Sequence, residues 1–375
     1  MKVCLDISGS LTFLKHLLMI PTQNKSISLK SKWEELKAKS PKLRIRDAAA
    51  ELEVSELELV TTMCEAGGAI NLQFEFKEMM KALETFGYVM GLSRNGSVVH
   101  EVKGVYANFS APSPHVSLFV NPEIDLRIFP SVWQYAVAVK VPSRGRTLKS
   151  IQFFSSWGEA IHKIYLTNKS NETAYDDFVE RFKHQFQGPY QPNEIVPKNE
   201  IRKQISDESA LKFQKDWVNL KDTHDFYRML KQHGLTRLQA LELAPKMVKG
   251  TAERYALKVP IEALEEIIRG AAKAQVPTMT FVGNHGIIQI FSGVVSNLVP
   301  LENWFNVMDK EFNLHLNMDD VSQVWIVFKP TTDGIVSSVE VFDNNEQMLV
   351  QLFGKRKPGI PEDENWRSII NRWVS

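Results

Sequence analysis

Apolar positions recur first at helical spacing and then at every second residue, and this change happens twice along the chain. The early spacing predicts helices over 31–39 and 44–53, parted by Pro41, and a restart after Val54 with Ser55 as N-cap. Another amphipathic helix is predicted over 76–86. From Tyr88 the period falls to two, over 89–92, 98–102, 116–120, 126–129, 135–141, 150–154 and 160–166. Turn signals such as Asn95-Gly96, Asn121-Pro122 and Arg144-Gly145 separate these runs, which reads as an antiparallel meander. A helix over 175–186 closes it.

The stretch after that helix has no periodicity and carries Gly188, Pro189, Pro192 and Pro197 among polar residues, so it reads as a linker. The order then repeats: helices from 216 through 270, strands from 279 through 353. A shift of 188 residues puts Asp125-Leu126-Arg127 on Asn313-Leu314-His315, Pro142 on Pro330, and Ser150-Ile151-Gln152-Phe153-Phe154 on Ser338-Val339-Glu340-Val341-Phe342. Upstream, Val54-Ser55 falls near Leu235-Thr236. A repeat this long is a duplicated domain, not a solenoid unit. The expected fold is α+β: two tandem, structurally similar halves, each a large antiparallel sheet with packed helices. The expected division is a loose extension over 1–28, a first repeat over 29–187, a linker over 188–209 and a second repeat over 210–375. A paired arrangement of this kind leaves a cleft, a common place for a ligand.

One helix stands out for its clear ends. In the stretch from Lys221 to Arg237, Asp222 or Thr223 can cap the start and Gly234 can stop the end in a left-handed turn. Phe226, Met229, Leu230 and His233 form its apolar stripe. His224 then falls in the first turn, and a neutral imidazole is the form a metal takes as a ligand. From this stretch alone the alternative is a histidine at a helix start with no further role.

Composition narrows the class without naming a function. The chain has 375 residues, 43% hydrophobic and 24% charged, with a net charge of +1. That is ordinary for a globular protein and argues against a nucleic-acid or membrane-surface partner. Cys4 and Cys64 make neither a disulfide framework nor a paired metal motif. No run reaches the roughly 18 apolar residues of a membrane span. Lys15 and His16 interrupt the apolar stretch over 1–20, no small-residue cleavage site follows, and Met19 offers an alternative start, so the expected compartment is the cytoplasm. The phosphate fingerprint G-x-G-x-x-G and an ordered Ser/His/Asp set are both absent.

Several stretches carry a resemblance, in order from Trp33 onward. They are DLRIF at 125–129, SIQFF at 150–154, HKIYLT at 162–167, FVGNHG at 281–286, NVMDKEFNLHL at 306–316, FKPTTDG at 328–334 and QLFGKR at 351–356, together with the DxHDFYRMLKQHGLTR helix at 222–237. They resemble the bacterial haemin-degrading and haem-transport factors of the HemS/ChuS type. The resemblance implies haem b as ligand or substrate, with His224 as the axial iron ligand. It makes Arg127 the distal arginine, on the far side of the iron, so that Arg127 and His224 would be the catalytic pair in a degrading enzyme. Arg237, Lys329 and Arg356 match cationic pocket residues that would hold the propionates, arginine by bidentate pairing and lysine as a point charge. Phe129, Met279, Phe281, Gln351 and Phe353 match pocket-lining positions. Taken singly, each cation reads as a surface charge, each apolar residue as core, and Arg127 as a paired strand arginine.

Two departures from the family pattern affect the polar network near the ligand. Phe353 stands where a member has tyrosine, and His285 where an arginine occurs. His100 matches a family histidine considered for a second haem site, although as a residue it reads as a structural strand histidine. The resemblance implies a protein that accepts imported haem and degrades it, using an external electron donor, or hands it on. The partners implied are a haem-uptake transporter, a downstream haem or iron acceptor and a reductase. The alternative is a carrier without turnover.

Overall fold

Local capping fixes where the helices begin. The computed structural model describes residues 23–143, 145–192, 196–197, 201–247, 252–357 and 359–374. Most of the expected extension (1–22) and part of the expected linker (193–195 and 198–200) therefore lie outside the described residues. Helix Glu56–Thr61 starts on a capping box in which Ser55 accepts from the Glu58 amide and the Glu58 side chain returns to the Ser55 amide. Helix Arg237–Glu242 starts the same way, with Thr236 and Gln239 in those roles. The two boxes stand at equivalent places in the repeat, where Val54-Ser55 was expected to match Leu235-Thr236.

The strands are β1 Ala69–Leu72, β2 Gly87–Arg94, β3 Val98–Val105, β4 Phe109–Ser110, β5 Ser117–Val120, β6 Asp125–Ile128, β7 Trp133–Ser143, β8 Arg146–Ser155 and β9 Ala160–Ser170. The second set is β10 Ala256–Val259, β11 Thr278–Gly283, β12 Ile287–Gly293, β13 Leu298–Leu301, β14 Trp304–Met308, β15 Phe312–Asn317, β16 Gln323–Thr331, β17 Gly334–Phe342 and β18 Met348–Gly354. The fold is α+β, built on two large antiparallel sheets with helices. Periodicity missed the two-residue β4, and it missed β1 and β10. Both are four-residue strands at sheet edges, and β10 interrupts the run from 216 to 270 that was expected to be helical.

The described residues divide into two compact units. The first draws on described residues within 23–75, 134–160 and 176–192. In it β1 pairs with β7, with Ala69 opposite Val139 and Leu72 opposite Ala136. Its core gathers Leu57, Val60, Cys64, Val137, Val139 and Phe154. The second unit draws on Phe76–Trp133, Ile161–Tyr175 and Val196–Ser375. One nine-stranded sheet lies wholly within it, in the order β10-β16-β17-β18-β11-β12-β6-β5-β4. A second run in the same unit is ordered β9-β2-β3-β15-β14-β13.

This order shows an exchange that linear reading did not foresee. Strand β12 pairs with β6 and β3 pairs with β15, so each sheet ends on three strands from the other half of the sequence. Adding nine to each number turns β9-β2-β3 into β18-β11-β12, as found, and turns β1-β7-β8 into β10-β16-β17, also as found.

The duplication is visible atom by atom at two turns. Asn95, between β2 and β3, donates through Nδ2 to Leu349 O at 2.7 Å and Gly283 O at 3.4 Å. Asn284, between β11 and β12, donates to Ile161 O at 2.9 Å and Arg94 O at 3.0 Å. Each asparagine thus caps the carbonyl just before its twin, and Leu349 and Ile161 are themselves a pair in the 188-residue register. A buried carbonyl needs such a partner, and each turn supplies the other's.

Candidate functional site

Side chains two apart on a strand share a face, and residues opposite one another in an antiparallel pair share it too. Following the register across the nine-stranded sheet gives one row: Trp325, Glu340, Gln351, Phe281, Ile290 and Asp125. The adjacent row runs Ser338, Phe353, Met279 and Ser292. On the other side lies Arg127, opposite Ile288. Lys329 is on this same face of β16, because it too meets Glu340. Six residues singled out in sequence therefore stand on one face of one sheet: Arg127, Met279, Phe281, Lys329, Gln351 and Phe353. Met279, Phe281 and Phe353 are half-buried, and Phe281 and Phe353 meet edge to face with ring centroids 5.3 Å apart. Phe129 follows the end of β6, half-buried, its amide donating to Gly286 O at 2.9 Å.

The charged centre of this face is a carboxylate that sequence reading passed over. Glu340 is fully buried. Arg237 donates to it from Nε to Oε2 at 2.6 Å and from Nη2 to Oε1 at 2.9 Å. Lys329 Nζ donates to Oε1 at 2.6 Å, Gln351 Nε2 at 2.7 Å and Ser338 Oγ at 3.2 Å. The sequence placed Arg237 and Lys329 with Arg356 around a ligand; the structure gathers Arg237, Lys329 and Gln351 on Glu340. Lys329 is not on an exposed rim: 2% of its side chain is open. Burial raises the Glu340 carboxyl, but Arg237 and Lys329 outweigh it and hold the group well below the usual carboxylate range. Burial is also the largest influence on Lys329, whose pKa falls to about 8 despite the neighbouring carboxylate. The ion pair with Glu340 raises the Arg237 pKa against the opposing effect of burial.

The helix bearing His224 rests on this cluster. It spans Asp225–His233, one residue later than the sequence implied, so His224 is the N-cap residue and not part of the first turn. Phe226 packs edge to face on Trp217 at 4.8 Å, and the Lys329 ammonium sits 4.7 Å from the Phe226 ring centre. Trp217 in turn donates from Nε1 to Phe328 O at 3.0 Å, which ties the preceding helix Asp207–Val218 to β16. At the far end Gly234 takes the left-handed conformation, φ 63°, that ends the helix.

His224 is the exposed end of this construction, with 83% of its side chain open. Its Nδ1 lies 2.7 Å from Asp222 Oδ1, and the same oxygen accepts the His224 amide at 2.9 Å. A carboxylate only accepts, so in the neutral ring the proton is on Nδ1 and the Nε2 lone pair is left for a ligand. Metal-bound histidines are commonly oriented in this way. The His224 amide and ring, with Arg356 nearby, lower the Asp222 carboxyl pKa. Arg356 itself donates to Asp333 at 3.0 Å, apart from the Glu340 cluster. Arg127 is held by Asp125, on its own strand.

Among the described residues, no three His, Cys, Asp or Glu side chains gather as a protein-built metal site. A lone, oriented imidazole holds a metal well only when the other ligands arrive with it, as they do in a porphyrin. The donor set fits haem: one imidazole, half-buried aromatic walls and arginines for carboxylates.

His100 is placed differently. It is fully buried on β3, in the other sheet, and burial lowers its pKa to about 3. By strand pairing its counterpart is Gln289, one residue past the 188-residue register, and Gln289 donates to Gly91 O at 3.0 Å. The backbone of Thr280, the counterpart of Gly91, lies beside His100. The two positions match in place but not in bonding, since both ring nitrogens of His100 are buried without a hydrogen-bond partner among the described residues. His285 is exposed in the turn before β12.

Comparison with known proteins decides the family. The haemin-degrading HemS.ChuX domain matches twice, over residues 53–182 and 234–373. The chain belongs to this family. Among HemS.ChuX relatives, the hemin transport protein HmuS of Yersinia pestis is 33% identical over 360 residues, covering 93% of this chain and 98% of the relative. The crystal structure of holo-PhuS, a heme-binding protein from Pseudomonas aeruginosa, is 38% identical with a TM-score of 0.86, covering 93% of this chain and 99% of the other. The heme-degrading enzyme ChuS of Escherichia coli O157:H7 is 31% identical with a TM-score of 0.84, covering 93% and 100%. Arg127, Arg237, Lys329, Glu340 and Gln351 fall inside the two HemS.ChuX matches; His224 falls just before the second.

Proposed function

We propose that this protein binds haem through the Nε2 atom of His224 and opens the ring oxidatively, releasing iron, as a step in the use of imported haem. The observation that carries the reading is the His224–Asp222 pair: an exposed imidazole whose proton is fixed on Nδ1, leaving one nitrogen for iron. Haem supplies the redox chemistry of iron and its porphyrin; the protein supplies position and electrostatics. Asp222 fixes the tautomer and plane of His224. Met279, Phe281, Phe129 and Phe353 offer apolar surface to the macrocycle. Arg237 offers donors to a carboxylate, with Lys329 and Gln351 behind it and Arg356 nearer His224. Arg127 would offer a hydrogen-bond donor at the bound haem if it let go of Asp125. His100 would become a ligand of a second haem only if the sheet around it opened. The ring opening would need dioxygen or peroxide as the oxidant and oxygen source, with electrons from an external donor delivered by a reductase. The compartment proposed is the cytoplasm, since no helix among the described residues is long and apolar enough to cross a membrane and the family handles haem in uptake. A haem-uptake transporter on one side and a haem or iron acceptor on the other are the partners proposed.

The second reading is carriage of intact haem without turnover. It is favoured by the Arg127–Asp125 pair, which occupies the distal arginine. Haemin-loaded protein given ascorbate in the presence of catalase separates the two. Degradation predicts loss of the Soret band, slowed about 10²–10³-fold in Arg127→Ala, as for removal of a donor aimed at developing charge. A stable Soret band in the wild type would leave carriage.

A further inference from the structure

The Glu340 cluster holds an anion and the Lys329 cation away from water, with a half-buried Arg237 against them. A fully buried carboxylate in a ligand-binding face asks for an explanation, since replacing such a group by an apolar one is often neutral or stabilising. The geometry of the Arg237 contact supplies one. A guanidinium has a side edge, Nε with Nη2, and an end edge, Nη1 with Nη2. Glu340 takes the side edge through both oxygens. Nη1 has no hydrogen-bond partner among the described residues, and 22% of the Arg237 side chain is open. Lys329 and Gln351 bind the same carboxylate from β16 and β18, so Glu340 itself is fixed from three sides. The Phe226 ring lies 5.4 Å from the guanidinium carbon and limits its tilt.

We propose that Glu340 is the positioning residue of a carboxylate-binding site: it clamps Arg237 by one edge so that the other edge is presented to a carboxylate of the bound ligand. This rests on the haem reading, in which that carboxylate is a propionate. Glu340 touches no ligand in this account and acts only through Arg237. Two effects of Glu340 oppose one another. As a clamp it strengthens carboxylate binding by fixing the donor, and as a buried anion it weakens it by cancelling one positive charge. The proposal is that the clamp outweighs the screening.

The test compares haemin with haemin dimethyl ester, whose carboxylates are blocked, by titration of the full-length protein. The readout is the ratio of the two dissociation constants, which a general loss of folding does not change in a consistent direction. Wild type is expected to prefer haemin. In Glu340→Gln one neutral amide oxygen replaces the carboxylate pair, and the preference is expected to fall about tenfold, the scale of one charge-assisted hydrogen bond. If Glu340 only screened charge, the same variant would raise the preference, and the proposal would be overturned. Should Glu340→Gln not fold, Glu340→Asp keeps the charge but withdraws the carboxylate. The clamp predicts a fall in the ratio, and an unchanged ratio overturns it. A wild type that binds haemin and its ester equally would sink the propionate reading and this proposal together. A wild type that discriminates, with variants that discriminate as well, sinks the proposal alone.

Discussion

Two pairs of equivalent positions in this chain have fared differently. Asn95 and Asn284 stand at matching turns and make matching bonds to each other's backbone neighbours. Gln152 and Glu340 stand at matching places in β8 and β17, each two residues after a buried serine, and do not match. Gln152 donates to Ser150 Oγ at 3.1 Å and leaves its own Oε1 buried and unpartnered. Glu340 gathers four donors, Ser338 among them. Around them, Arg237 corresponds to Glu56, Lys329 to Val141 and Gln351 to Lys163. The asparagine contacts are kept in both copies, while the carboxylate that gathers Arg237, Lys329 and Gln351 has an uncharged glutamine as its twin.

The comparison can be broken most forcefully at Glu340. Glu340→Leu leaves Arg237 and Lys329 buried without their anion, which should cost on the order of 3–5 kcal/mol in denaturant unfolding. Gln152→Leu removes an unpartnered buried oxygen and should lie within about 1 kcal/mol of neutral. Equal costs at the two sites would erase the distinction. Next in size, Asn95→Ala and Asn284→Ala should each cost roughly 1–3 kcal/mol by stranding carbonyls, and the two values should agree. A large gap between them would mean the turns are not functional twins.

Titration sharpens the contrast further. The Lys329 pKa in the folded protein, about 8, lies below the ordinary value of 10.5. Between those values the unfolded chain binds the extra proton, so this group makes stability rise with pH across that window, its penalty being present in full below about 8. Lys329→Met should flatten that rise. On the acid side, His100 and His162 titrate at about 3 in the folded protein against 6.5 ordinarily, both lowered chiefly by burial. Their contribution is present above pH 6.5 and is lost as pH falls toward 3. His100→Gln, which copies Gln289, should fold and remove part of that loss. The smallest effect is expected at Arg228, which pairs with Asp225 on the exposed side of the His224 helix. Arg228→Ala should cost less than about 1 kcal/mol.

Much of the scaffold was legible because its signals are local or periodic. Alternation gave most strands, Asn95-Gly96 gave a turn, and the 188-residue register gave the duplication. The strand exchange was not legible, since a repeat fixes which strands are equivalent but not whether β6 pairs within its own half or beyond it. Strands β1 and β10 are too short for a period to show. Within the site, His224 and the sheet-face residues were named from resemblance, while Glu340 was not. Its signal was present: a lone carboxylate in the otherwise apolar run Val339–Phe342, where its twin is an uncharged glutamine. A charge in the middle of a buried strand requires partners, and Arg237 and Lys329, expected at a ligand's propionates, were cations that could serve. The His224 helix begins one residue late because Asp222 accepts from the His224 amide and ring, a geometry that residue spacing alone does not reveal.

The central claim is that the oriented imidazole of His224 is the iron ligand. The direct measurement is a haemin titration of wild type and His224→Ala, followed in the Soret region. The account predicts that wild type binds haemin with the spectrum of a histidine-ligated iron. It also predicts that His224→Ala shifts that band and weakens binding, with the shift the clearer change because the apolar face and Arg237 still hold the macrocycle. A wild-type spectrum retained in His224→Ala would contradict it.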